Sequence, residues 1–153
     1  MCQHHRTTRL IPPWINEVVE IDTGMVSVVR ELWTRDWQTL ACCQDSGEAV
    51  AAEREHGKPS QPTGHRGFIE YHKGWAWLKM PTEHALGLLG ALSADETFGP
   101  RVKVRWQRGS WRVHVPVVYE DNAFTRAAYA QIYFPSDQVT ELAAALPMPG
   151  ERR

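Results

Sequence analysis

Two adjacent cysteines, Cys42 and Cys43, stand directly before Gln44 and Asp45, and Glu48 follows Asp45 by three residues. Trp37, Thr39, Ala41 and Cys43 alternate with Gln38, Leu40 and Cys42, which predicts a strand running into the cysteines. Asp45 and Glu48 resemble a capping box with Asp in the place of Ser or Thr, and so open a helix. Cys43 is therefore expected at a strand-to-helix turn. The free N–H groups and dipole of a helix start favour an anion, lower a thiol's pKa and make it more nucleophilic. Gln44 is placed to donate hydrogen bonds beside it. Cys43 and Gln44 are the candidate catalytic pair, with His65, His72 or His114 as a base. A buried Cys43 that packs as a small hydrophobe is the plainer alternative.

A zinc site would need about four N or S ligands. Cys42 and Cys43 point to opposite faces of a strand and make poor co-ligands for one ion. His56 and His65 flank a loop from which either could reach a cysteine. Cys2, His4 and His5 are further donors, in a terminus that is polar and aperiodic and so reads as loose. The chain contains no C-x-x-C or H-x-x-x-H pair, no P-loop, no G-x-G-x-x-G and no G-x-S-x-G. No metal or other cofactor is expected.

A second group of chemically active side chains is basic. Arg101, Lys103, Arg105, Arg108 and Arg112 fall within 101–114 without an intervening acid. A hairpin turning at Arg108-Gly109 would set Val102 opposite Val115, Val104 opposite Val113 and Trp106 opposite Trp111. Its other face would carry Arg105 opposite Arg112 and Lys103 opposite His114. Like charges directly opposite are destabilising. Solvent and acids such as Glu120 or Asp121 would offset them, or else a phosphate- or carboxylate-bearing ligand. With Tyr129 and Tyr133 available to stack on bases, the residues Arg101, Lys103, Arg105, Arg112, His114, Tyr129 and Tyr133 form a candidate nucleic-acid surface. The net charge of −1 gives the molecule no long-range pull toward nucleic acid or an anionic membrane.

The elements that must position these groups follow from periodicity. Val18, Val19 and Ile21 suggest a short strand. Asp22 or Thr23 starts a helix with Met25, Val28, Val29, Leu32 and Trp33 on its buried face, ending near Thr34-Arg35-Asp36. The Asp45 helix runs to Gly57. Phe68–His72 and Trp75–Leu78 read as two strands of a hairpin around His72-Lys73-Gly74, with Trp75 and Trp77 on one face. Thr82 caps a helix with the stripe Ala85, Leu86, Leu89 and Leu92. After the turn cluster Glu120-Asp121-Asn122, residues 128–134 alternate as a strand. Pro135 ends it, and a final helix buries Val139, Leu142 and Leu146. The expected architecture is α+β: one domain with a mainly antiparallel twisted sheet and two to four helices packed on it. Residues 1–10 form a flexible N-terminus, 11–147 the domain with a mobile loop near 57–67, and 148–153 a tail.

At 153 residues, 42% hydrophobic and 23% charged, the chain can bury a core without metal or disulfide staples. Seven tryptophans imply a core of a few bulky pieces, with one or two rings left to line a groove. Three cysteines, two of them adjacent, make no disulfide framework and point to a reducing compartment. The first residues lack the apolar segment of a signal peptide, and no run reaches the ~20 apolar residues of a membrane helix. A cytoplasmic protein is expected, without a membrane partner.

Leu32-Trp33 followed by Thr39-x-x-Cys42-Cys43-Gln44-Asp45, with the closing Phe134-Pro135-Ser136-Asp137, resembles a group of small proteins from actinobacteria and their phages. Their pattern is a Leu-Trp helix end, a Gly turn and Thr-x-x-Ser-Cys-Gln; here Asp36 stands for the Gly and Cys42 for the Ser. The resemblance implies a phage or bacterial protein, in the host cytoplasm if phage-encoded, and assigns no activity. Cys43 is also distantly similar to the cysteine of the Ser-Cys-Ser-Gly-Arg motif in the wybutosine-synthesis methyltransferases, which implies tRNA modification; the Ser, Gly and Arg are missing. The expected function is binding rather than catalysis, with a host protein or nucleic acid as partner. The exposed tryptophans or the 57–67 loop would serve a host-protein partner. A Cys43-centred enzyme or tRNA-modification-like domain is the alternative.

Overall fold

A computed structural model of the chain describes residues 5–55, 65–104 and 107–146. The central element is a four-stranded antiparallel sheet in the order β3-β4-β8-β5, formed by Ala41–Cys43 (β3), Trp75–Pro81 (β4), Tyr129–Pro135 (β8) and Arg112–His114 (β5). The two long inner strands alternate strictly between buried and half-buried residues. Ala76, Leu78 and Met80 of β4, with Ala130, Ile132 and Phe134 of β8, all point into the core. That period of two gives the sheet one closed apolar face and one partly open face.

Helices close the apolar face. Val26–Trp33 (α1) supplies Val28, Val29, Leu32 and Trp33; Thr82–Ser93 (α4) supplies Ala85, Leu88 and Leu92; Val139–Ala145 (α6) supplies Val139 and Leu142. Phe98 at the start of Phe98–Lys103 (α5) packs edge-on against Trp111, which stacks on Phe134 at 4.7 Å. The other face carries Ser46–Glu55 (α2) and His65–His72 (α3) over part of its width. These two helices cross closely at Gly47, where an added Cβ would lie 2.5 Å from the Lys73 backbone nitrogen.

Two smaller antiparallel hairpins flank this unit. Thr7–Leu10 (β1) pairs with Val19–Asp22 (β2). Val117–Glu120 (β6) pairs with Ala123–Arg126 (β7) through Asp121 and Asn122, whose φ values of 53° and 62° suit a tight two-residue hairpin turn.

The α+β architecture, α1, β4, β8 and α6 match the sequence reading, and the turn at residues 120–122 does as well. Six helices form among the described residues, more than the two to four expected. Phe68–His72, expected as a strand, is the greater part of helix α3: Gly74, at φ 76°, follows the C-terminus of α3 rather than turning a hairpin. The expected 102–115 hairpin is replaced. Asp95 Oδ1 accepts hydrogen bonds from the Thr97 and Phe98 N–H groups at 2.8 Å each, which caps the α5 turn, and β5 pairs with β8 instead. In α4 the buried stripe includes Leu88, whereas Leu86 is exposed. Only Ala41–Cys43 of the 37–43 run is strand. The N-terminal residues from Thr7 onward are ordered as β1 rather than loose. The core of the 57–67 loop, and Gly57 itself, lie outside the described residues; its last residues open α3.

Candidate functional site

Cys43 ends β3, and Asp45 opens α2 as expected. Asp45 Oδ1 accepts from the Gly47 and Glu48 N–H groups at 3.0 Å each, while Oδ2 accepts from the Gly74 N–H at 2.7 Å. The buried Asp45 thus pins the start of α2 to the end of α3. Glu48 turns instead toward an imidazole that the sequence reading had left in a loose terminus. His5 Nε2 lies 3.3 Å from Glu48 Oε2, and His5 Nδ1 lies 3.0 Å from Asp22 Oδ2. The Cys43 thiol is 3.8 Å from the same Nδ1 and donates to the Asp45 carbonyl at 3.2 Å. Asp22 is fixed in turn by the Gln44 N–H at 3.0 Å. The His5 side chain is 7% exposed and that of Asp22 4%.

This corner differs from a thiol–imidazole pair in one respect. A base for Cys43 needs a ring nitrogen with a free lone pair facing the sulfur. Nδ1 faces the sulfur but is also held by Asp22, so its proton is directed at a carboxylate. A carboxylate and a thiol converge on this one nitrogen.

Gln44 is committed to the fold: its Oε1 accepts from the Gly24 N–H at 3.0 Å, and its carbonyl accepts from the Ser136 hydroxyl at 2.6 Å. The histidines proposed as bases lie elsewhere. His72 is stacked on Phe68 and tilted against Tyr133, and His114 sits on β5, at the sheet edge opposite β3. His65 begins α3. Cys2, His4 and His56 lie outside the described residues. Cys42 packs toward the core, on the face opposite Cys43.

A cleft of about 1290 Å³ opens beside this corner, lined among others by His5, Asp22, Cys43, Ser46, Phe68 and Trp77. Two buried polar atoms among the described residues have no hydrogen-bond partner, Ser46 Oγ and Trp77 Nε1, and both residues line this cleft. Unpaired buried polar groups are costly and uncommon, which marks the cleft as a place for a ligand or water.

The register extends the corner into a row across the open sheet face. Cys43 pairs with Trp77, Trp77 with Tyr133, and Tyr133 with Arg112. The next row on the same face holds Ala41, Lys79, Gln131 and His114. Trp75 and Tyr129 complete the aromatic set at the two ends of the inner strands. Lys79 Nζ lies 3.9 Å from the Tyr129 ring centroid. The Arg112 guanidinium lies 3.5 Å from the Trp75 centroid and 3.7 Å from that of Tyr71, and it donates to the Tyr71 carbonyl. Burial depresses the Arg112 pKa, with Tyr71 opposing, and raises that of Tyr133. Burial also pushes His72 below its ordinary value, against the raising effect of its bond to the Phe68 carbonyl and with help from nearby Arg112.

Of the predicted binding residues, Arg112, His114, Tyr129 and Tyr133 therefore share one face. Arg101 and Lys103 do not: they lie on α5, where Arg101 pairs with Glu141 at 2.6 Å and stacks on Phe98. Arg105 lies outside the described residues. Lys79, Trp75 and Trp77 were missed as members of this face, although the alternation of β4 had already set the two tryptophans on one side. His5 had no such signal, because its partners are set by the β1–β2 pairing. Among the described residues no tryptophan is exposed; the exposed aromatics are Phe68, Tyr71, Tyr119 and Phe124.

No protein-family model matches the chain, and no curated protein or solved structure is significantly similar to it. No helix among the described residues is long and apolar enough to cross a membrane. The function has to be argued from the geometry.

Proposed function

We propose that the chain is a binding module that takes single-stranded nucleic acid across its open sheet face, in a bacterial or phage-infected cytoplasm. The observation that carries this reading is the shared face: Trp75, Trp77, Lys79, Tyr129 and Tyr133 on β4 and β8, whose other side is fully buried, with Arg112 and His114 beside them on the edge strand β5. Aromatic rings stack on any base, each worth about 1–3 kcal/mol, and cations beside them neutralise phosphates. The sheet is a rigid platform for such contacts, since its back is anchored in the core. Cytoplasmic placement draws support from the sequence, whose three cysteines, two of them adjacent, make no disulfide framework.

The basic groups on this face are few and the net charge is −1, so the binding is modest and depends on stacking. Fluorescence anisotropy with short single-stranded RNA and DNA tests it. Neutralising about two phosphates gives a log K against log salt slope of roughly −1.4. The double variant Lys79→Glu/Arg112→Glu is expected to lose at least about tenfold in affinity, and Tyr129→Ala about five- to hundredfold. Arg101→Glu on α5 should leave binding intact. Salt-independent binding, or equal loss in Arg101→Glu, would remove this reading.

A further inference from the structure

We infer that His5, Asp22 and Cys43 form a binding site for a divalent transition metal of the zinc type. His5 Nδ1 lies 3.0 Å from Asp22 Oδ2 and 3.8 Å from Cys43 Sγ, and the three donor atoms all fall within 4.8 Å of one another. Ligand atoms about 2.0–2.3 Å from a tetrahedral zinc are separated by roughly 3.3–3.7 Å. The His5–Asp22 and His5–Cys43 spacings lie within about half an ångström of that range. Thiolate, imidazole and carboxylate together select zinc or cobalt over magnesium or calcium, which prefer oxygen alone. One thiolate and one carboxylate balance the two positive charges of the ion.

The surroundings supply what a metal-bound imidazole needs. A ligating histidine commonly donates its other ring N–H to a carboxylate, and Glu48 stands 3.3 Å from Nε2. Metal binding moves the Nδ1 proton to solvent, or to Nε2 when that nitrogen is bare, so that Nδ1 becomes a lone-pair ligand and the N–H at Nε2 faces Glu48. Cys43 gives its proton to solvent, and its hydrogen bond to the Asp45 carbonyl is exchanged for a sulfur–metal bond. Asp22 keeps its orienting bond from the Gln44 N–H. Three protein ligands leave one tetrahedral position for a water or a cleft-bound group. Ser46, whose buried hydroxyl has no partner, lines the same cleft and offers a hydrogen bond there. This site is independent of the nucleic-acid reading.

Untagged full-length protein, stripped with a chelator, is titrated with Co²⁺ and, separately, with Zn²⁺ by calorimetry. One equivalent should bind, with a thiolate-to-cobalt band in the near ultraviolet and the visible bands of tetrahedral cobalt. Cys43→Ser should abolish the near-ultraviolet band, and Cys43→Ser, His5→Ala and Asp22→Asn should each weaken binding by more than about 100-fold. Glu48→Gln replaces an exposed carboxylate, leaves folding intact and should weaken binding about ten- to hundredfold. Cys42→Ser, altered on the far face of β3, should behave as the wild type. Absence of one-equivalent binding in folded wild type overturns the site. So does a cobalt band that survives Cys43→Ser, including one that disappears only when Cys2 is changed, and so does full affinity in Glu48→Gln.

Discussion

The two faces of β4 and β8 are built from the same strands with opposite chemistry. One presents Ala76, Leu78, Met80, Ala130, Ile132 and Phe134 to the core under the helices; the other presents rings and Lys79, flanked by Arg112 of β5 and the Cys43 thiol of β3, to a cleft and to partial cover from α2 and α3. The closed face holds the fold by apolar burial. The open face holds itself by ring–cation contacts and directed hydrogen bonds, which contribute less to stability and leave polar atoms such as Trp77 Nε1 without partners among the described residues. The contrast is measurable.

The largest effect belongs to the closed face. Phe134→Ala should cost about 3–5 kcal/mol in urea unfolding, since the cavity lies between Trp111 and the helices. Tyr129→Ala on the open face should cost about 1 kcal/mol or less. Equal costs would make the open face part of the core. Next comes the joint between the faces. Asp45→Ala removes the acceptor of three backbone N–H groups and should destabilise by about 2–4 kcal/mol. A loss below about 0.5 kcal/mol would detach that carboxylate from the α2–α3 frame. Gly47→Ala forces a Cβ against the Lys73 backbone and should cost about 1–3 kcal/mol, read in the same assay.

The smallest effect is a pH dependence from His72. Burial holds its imidazole below the ordinary value, so the folded chain takes up this proton less readily than the unfolded chain does. Its contribution to stability is therefore complete above about pH 6.5 and falls as the pH drops through that value toward the folded pKa. His72→Gln should shrink the loss of urea midpoint between pH 7.5 and 5.5. An unchanged loss would assign the sensitivity to other groups.

The closed face was legible in the sequence because it is written in local periodicity: α1, the inner strands and α6 follow from apolar spacing alone. The Asp45 cap was legible for the same reason, its donors being two and three residues away. Residues 68–72, expected as a strand, and 102–103, expected in a hairpin, are helical because short apolar runs alternate and spiral equally well. There the outcome rests on Asp45 holding the Gly74 N–H behind α3 and on Asp95 holding the start of α5. The Cys43 turn was found, but its partners were not. His5 reaches Cys43 only through the β1–β2 pairing and the approach of α2, and no pattern within residues 1–10 encodes either. Of the basic group, Arg112 and His114 share a face because they pair with β8, Arg101 and Lys103 leave it because they follow α5, and Arg105 lies outside the described residues.

The strand order has a consequence for synthesis. Pro81 pairs with Tyr129 and Trp75 with Pro135, so β4 waits until the chain has passed through β5, β6 and β7 before its central neighbour exists. On the ribosome its apolar side, Ala76, Leu78 and Met80, emerges long before β8 and has only β3 and the early helices for shelter. Non-local pairing of this kind folds slowly and leaves a sticky edge in the interval. Chains cut short before residue 129 should therefore be substrates for holdase chaperones and proteases, while completed chains close the sheet in a single late step.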